Sequence, residues 1–144
     1  GRMLKQIPLQ RIAYNAIPSV VYTNPEIACV GLTEKDLNEI REGDFAPSMS
    51  TDEPFVPYEV HKLPMTFSGR FVAENEGEMG LCKVIVDKRS KTIMGVHMIG
   101  NPCSEFVAAA SFAVRMGYTV GEFKQVVFPH PTVSEVLREV VIEA

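Results

Sequence analysis

Three histidines are the groups in this chain best suited to move a proton near neutral pH: His61, His97 and His130. His130 has the most constrained surroundings. Pro129 and Pro131 flank it, each fixing its own φ and pushing the preceding residue toward extended geometry. The histidine therefore sits on stiff backbone before any tertiary contact forms. Glu135 follows five residues on, close enough to orient the ring of an acid/base. The same carboxylate is also the last member of a Thr132-x-x-Glu135 capping box, which would make the run a helix entry with a histidine nearby. The two uses compete, and position alone leaves both open. His61, beside Lys62 in a proline-rich stretch, reads as a solvated loop histidine. His97 shares a strand face with Ile93, Gly95 and Ile99 and reads as half-buried and structural.

The cysteines offer less. Cys29, Cys82 and Cys103 are an odd number without a Cys-x-x-Cys pair or metal-ligand spacing, so no metal site is expected. Cys29 and Cys82 lie in apolar runs and should be buried, inert thiols. Cys103, in an expected loop, is the candidate for reactivity, and a reducing compartment suits all three.

The elements that must position His130 follow from pattern. The chain has 144 residues, 46% apolar and 22% charged, which is enough for one globular domain with a real core. Its net charge of −4 disfavours nucleic acid and anionic membrane surfaces as partners, and no apolar run is long enough to span a bilayer. Residues 1–16 read as a connecting segment or terminal remnant, and residues 17–144 as the domain. Ser19–Tyr22 and Ile27–Leu32 suit strands joined by a turn at Thr23-Asn24-Pro25-Glu26. Thr33 suits an N-cap for a helix through Glu42 that stops at Gly43. Residues 44–66 are irregular, with short or edge strands at Phe55-Val56 and Tyr58–Val60. Arg70–Glu74, Gly80–Asp87 and Thr92–Ile99 read as a three-stranded antiparallel meander, with Cys82, Val84 and Val86 on one apolar face.

Three helices complete the chain. The first is capped by Ser104, runs to Met116, stops at Gly117 and is apolar around much of its circumference, so burial on more than one side is expected. The second opens with a Thr119/Glu122 capping box and ends near Val127. The third starts at Thr132 with Val136, Leu137, Val140 and Val141 on one face. Strands followed by helices without β-α-β alternation define an α+β fold, an antiparallel sheet packed with helices.

No Gly-x-Gly-x-x-Gly, phosphate loop, Gly-x-Ser-x-Gly or redox cysteine pair occurs. Reaction partners for His130 would then have to come from elsewhere. Three stretches carry a resemblance: Ile17 through Glu34, Gly95-Val96-His97-Met98-Ile99-Gly100, and Phe128 through Glu135. In order and spacing they resemble the C-terminal dimerisation domain of the pyridine nucleotide–disulfide oxidoreductases, dihydrolipoamide dehydrogenases most closely. Phe128 departs from that pattern, since many members carry a histidine there, and the stretch from Asp44 to Thr66 is longer than usual.

The resemblance implies a domain without turnover of its own, belonging to an enzyme whose FAD and NAD domains and redox disulfide lie upstream. It implies a homodimer in which His130 reaches the other subunit's active site as the acid/base, oriented by Glu135. The backbone of His130 and Pro131 would lie against the partner's flavin, across a peptide bond that is typically cis. The parent would oxidise dihydrolipoamide with NAD, work with a lipoyl-bearing acyltransferase subunit, and reside in bacterial cytoplasm or an organelle matrix. A glutathione-reductase-like or transhydrogenase-like relative, or a non-catalytic interaction module, are the alternatives.

Overall fold

Short β-branched segments, punctuated by prolines and polar turns, pair into one five-stranded antiparallel sheet. The computed structural model describes residues 12–42 and 56–143. The strands are β1 (Ser19–Val21), β2 (Ile27–Gly31), β3 (Tyr58–Leu63), β4 (Leu81–Asp87) and β5 (Ile93–Ile99), and their order across the sheet is β1-β2-β5-β4-β3. The helices are α1 (Glu34–Glu42), α2 (Gly69–Glu74), α3 (Cys103–Met116), α4 (Val120–Phe123) and α5 (Glu135–Ile142). The α+β expectation holds. Among the described residues no helix is long and apolar enough to cross a membrane.

The inner sheet face carries Ala28 and Val30 of β2, Cys82, Val84 and Val86 of β4, and Val96 and Met98 of β5. Helix α3 covers β2 and β5, and α5 covers β3 and β4. Val136, Leu137, Val140 and Val141 of α5 are at most 1% exposed, and each such side chain contributes about 1.5–3 kcal/mol of burial. That face is the one the sequence pattern marks. Helix α3 differs from expectation: Phe106, Val107, Ala110 and Val114 are buried, yet Phe112 and Met116 are 66% and 64% exposed. Its apolar circumference is covered on one side only. Its start also differs, because Ser104 does not cap it; the Ser104 N–H instead donates to Glu26 Oε2 at 3.0 Å.

Further readings differ from the structure. Arg70–Glu74 is not a strand but most of α2. Its short apolar Phe71-Val72-Ala73 run is helical instead because the Ser68 hydroxyl caps the helix at the Phe71 N–H and Phe71 is wholly buried while Val72 is half exposed. The third strand of the meander is β3, which extends an expected edge segment through His61 to Leu63; Phe55 and Gly43 lie outside the described residues. Ile85 is fully buried although it pairs with Gly95 on the same outer face as Lys83 and lies outside the main core cluster; the β4–β5 register shifts only after it, between Ile85 and Val86. The Thr119/Glu122 capping box is present in full, but α4 ends at Phe123, short of Val127.

Beyond the row of Gly31, Gly95, Ile85 and Val60, the outer sheet face has two more rows. Val21, Ile27, Ile99 and Leu81 pair in sequence across four strands, all 37–50% exposed. Cys29, His97, Lys83 and Lys62 pair in the next polar row. Helix α1 starts over that row. Thr33 and Asp36 form a capping box there (Thr33 N–H to Asp36 Oδ2, 2.7 Å), and Glu34 meets Lys83 Nζ at 2.9 Å. The entry to α1 is tight because Gly31 and Gly95 lie opposite one another: a Cβ on Gly95 would fall 2.1 Å from the Leu32 carbonyl oxygen, and one on Gly31 2.2 Å from that of Met94.

Gly95→Ala should therefore lower unfolding free energy by about 3 kcal/mol, because backbone rather than a flexible side chain must move. Gly121→Ala on α4, where a Cβ would make only an ordinary 3.9 Å contact with the Thr119 hydroxyl, should instead stabilise by about 0.5 kcal/mol through the unfolded state. Urea unfolding of both variants checks the contrast, and equal effects would refute it.

Candidate functional site

The sequence brings Phe128 through Glu135 to the surface as a turn leading into α5. Phe128 is half-buried and packs on Phe123 with ring centroids 5.8 Å apart. The Thr132 hydroxyl closes the turn by donating to the Pro129 carbonyl at 2.8 Å, and the His130–Pro131 peptide is cis. The capping box is only half made: the Thr132 N–H reaches Glu135 Oε2, while the Thr132 hydroxyl is paired with the Pro129 carbonyl and Ser134 Oγ. Helix α5 accordingly starts at Glu135, three residues later than expected.

Glu135 does not choose between ring and cap. Its Oε2 accepts the Thr132 N–H at 2.8 Å, and its Oε1 lies 2.7 Å from His130 Nδ1. The expected competition disappears because a carboxylate has two oxygens and both partners lie in reach. The Thr132 N–H is the main influence holding the carboxyl below the usual carboxylate range; partial burial opposes it, and the His130 ring adds to it. An ionised carboxylate only accepts hydrogen bonds, so Nδ1 carries a proton and Nε2 of the neutral ring carries the lone pair. The His130 side chain is 81% exposed, and among the described residues Nε2 has no hydrogen-bond partner. The arrangement can take up a proton at Nε2 and stabilise the resulting imidazolium through Glu135.

The other candidates separate clearly. His97 is half-buried, with Nε2 3.0 Å from the Leu32 carbonyl, and burial lowers its pKa. It ties β5 to the α1 entry, as a structural histidine would. His61 is not a solvated loop residue: it lies on β3, its side chain is 20% exposed, and it sits 3.8 Å from Glu59. Cys103 is not a loop thiol either. It is the first residue of α3, fully buried, and burial with the nearby Glu26 charge pushes it up to about 11. Cys82 is pushed up to about 12 by burial, while Cys29 is only half-buried on the outer face. Among the described residues no three His, Cys, Asp or Glu side chains group as metal ligands. Sequence reasoning missed Ser68, which lies 64 residues from the turn yet donates to the Thr132 carbonyl at 2.9 Å. Only its capping position before α2 gave a local signal.

Because the Glu135 carboxylate is favoured in the folded state, its stabilisation is present above the usual carboxylate range and is lost as pH falls through its lowered folded value. Glu135→Gln should cost about 1 kcal/mol near neutrality, and the difference from wild type should shrink in acid. Urea unfolding as a function of pH measures this, and a gap that widens in acid would contradict it.

The profile of the family described as "Pyridine nucleotide-disulphide oxidoreductase, dimerisation domain" matches residues 17–141. The chain is 38% identical over 128 residues to a mitochondrial dihydrolipoyl dehydrogenase of Caenorhabditis elegans, covering 89% of this chain and 23% of that protein. It is likewise 38% identical over 123 residues to a dihydrolipoyl dehydrogenase of Thermus scotoductus, covering 85% and 23% respectively. The chain thus spans about a quarter of the length of these curated relatives. Among solved structures, LpdA from Mycobacterium tuberculosis superposes with a TM-score of 0.76 at 21% identity, over 94% of this chain and 26% of that one. The antiparallel sheet with its covering helices is therefore a shared fold, and the sequence match over residues 17–141 places this chain in the pyridine nucleotide–disulphide oxidoreductase dimerisation-domain family.

Proposed function

We propose that the chain is the dimerisation domain of a dihydrolipoyl-dehydrogenase-like flavoprotein disulfide reductase, and that His130 with Glu135 is the acid/base it supplies to a partner subunit. One observation carries the reading: a ring fixed through Nδ1 at 2.7 Å from a carboxylate, yet 81% exposed with Nε2 facing outward. On a histidine serving only its own chain, such exposure would leave the orientation unused. The relatives named dihydrolipoyl dehydrogenase support the substrate class, dihydrolipoamide. Residues 17–144 form the proposed unit, with 1–16 as its connection.

In this reading Nε2 of His130 accepts the proton of a substrate thiol as the thiolate attacks the enzyme disulfide, and returns it in the reverse direction. Glu135 keeps the proton on Nδ1 throughout and stabilises the imidazolium. FAD and NAD, bound by the rest of the enzyme, would carry the electron pair onward. This chain fits a flavin only along an edge. Pro129, His130 and Pro131 are all exposed and could face an isoalloxazine ring, whereas the sequence has no Gly-x-Gly-x-x-Gly to hold a pyrophosphate. The homodimer is supported by the family and by the exposed Phe112 and Met116 on α3, apolar side chains that solvent-facing helices rarely group. A lipoyl-bearing acyltransferase subunit is the further partner that the substrate class implies.

In the full-length reductase, His130→Gln should leave flavin content unchanged and reduce dihydrolipoamide oxidation by about 10²–10⁴-fold; near-normal turnover would end the acid/base role. Sedimentation of the 144-residue chain at high micromolar concentration should show a reversible dimer that Phe112→Glu converts to monomer. A wild-type chain that stays monomeric, or a Phe112→Glu chain that still pairs, would remove α3 from the interface.

A further inference from the structure

Ser68 is the polar residue buried in the described core, at 2% exposure. A buried hydroxyl is costly unless it is hydrogen-bonded, and this one is used fully. Its oxygen accepts the Phe71 N–H at 3.2 Å, which leaves its hydrogen for the Thr132 carbonyl at 2.9 Å. Its backbone is engaged as well, with the N–H on the Met65 carbonyl and the carbonyl taking the Val72 N–H. The ledge it stands on cannot move easily. Met65 and Phe71 are wholly buried on either side, and Gly80 and Gly100 press against them so closely that a Cβ would fall 2.5 Å from Met65 Cγ and 3.0 Å from Phe71 Cε2.

Thr132, at the other end of the bond, is the hub of the His130 turn. Its hydroxyl goes to Pro129, its N–H to Glu135 Oε2, and its carbonyl to Ser68, while Glu135 Oε1 holds His130 Nδ1. The bonds to Pro129, Ser134 and Glu135 span at most three residues from Thr132, so they set the shape of the turn but not its place on the domain. Phe128 and the buried Val133 anchor its ends by apolar contact, which constrains position more than rotation. The Ser68 bond is the directional tie to a distant element, and it fixes the rotation of the peptide that follows Thr132.

We infer that Ser68 is a positioning residue for His130: its hydroxyl locks Thr132, and Thr132 in turn locks the Glu135 carboxylate that keeps the proton on Nδ1. This rests on the reading of His130 as the acid/base, and it adds a residue from the connection between β3 and β4 to that site.

The test uses the 144-residue chain labelled with ¹⁵N-histidine. In wild type, long-range ¹H–¹⁵N spectra should show His130 in the Nδ1–H tautomer with its Nδ1 proton protected from solvent exchange. Ser68→Ala should leave a folded chain in which that protection falls by about fivefold, as loss of one modest hydrogen bond predicts, and in which the Nε2–H tautomer appears. Ser68→Thr keeps both the hydroxyl and the cap and should restore the wild-type spectrum. If Ser68→Ala does not fold, Ser68→Gly, which costs less at a helix N-cap, takes its place with the same expected spectrum. A folded hydroxyl-free variant with a wild-type His130 spectrum would overturn the inference. So would failure of Ser68→Thr to restore it, or unfolding of both hydroxyl-free variants, since the hydroxyl would then serve stability alone. None of these readouts involves turnover, so they are separate from the His130→Gln assay that tests the acid/base reading.

Discussion

One carboxylate with two acceptors holds the exposed end of this domain together. Glu135 gives one oxygen to backbone and one to a ring, and the two bonds differ in kind. The bond from the Thr132 N–H is to a half-buried group at a helix N-terminus, where an anion is also favoured by the dipole. The bond to His130 joins a carboxylate to a ring that is mostly in water, so it adds of the order of 1 kcal/mol or less to stability. The backbone bond anchors and the ring bond orients. The order of influences on the Glu135 carboxyl, Thr132 before His130, agrees.

That division of labour depends on α5 being fixed, and α5 is fixed by the sheet. Its four apolar residues lie against β3 and β4, and its first residue is the glutamate itself. Any shift of the helix along its axis would move the carboxylate directly, with no flexible linker to absorb it. The same economy places Phe128 on Phe123, so the short α4 and the His130 turn share one packing contact.

Much of this was legible in the sequence, where local chemistry and tertiary structure agree. The 119–122 capping box, the α5 face, the strands at 81–87 and 93–99, and the proximity of His130 to Glu135 all follow from spacing. What was not legible depends on contacts distant in sequence. Arg70–Glu74 has a short apolar run that suits a strand and becomes helical because a buried phenylalanine and a serine cap outweigh five residues of weak propensity. Phe112 and Met116 made α3 look buried all round, since a sequence does not distinguish a surface awaiting another chain from one awaiting its own core. Cys103 followed a proline and looked like loop, but the helix begins on it. The double use of Glu135 escaped because a residue was weighed as one partner when its two oxygens act separately.

The Gly31–Gly95 pair bears on a problem the core leaves open. A slip of two residues between β2 and β5 would return every side chain to its original face, so the apolar inner layer would be satisfied almost as well as before. The outer face would not. Such a slip would set members of the apolar Val21–Ile27–Ile99–Leu81 row beside the polar Cys29–His97–Lys83–Lys62 row, and it would bring a side chain to the pinch where the Leu32 and Met94 carbonyls leave room for none. Two residues without side chains thus act as the index mark of the sheet, excluding misaligned pairings that hydrophobic burial alone would accept.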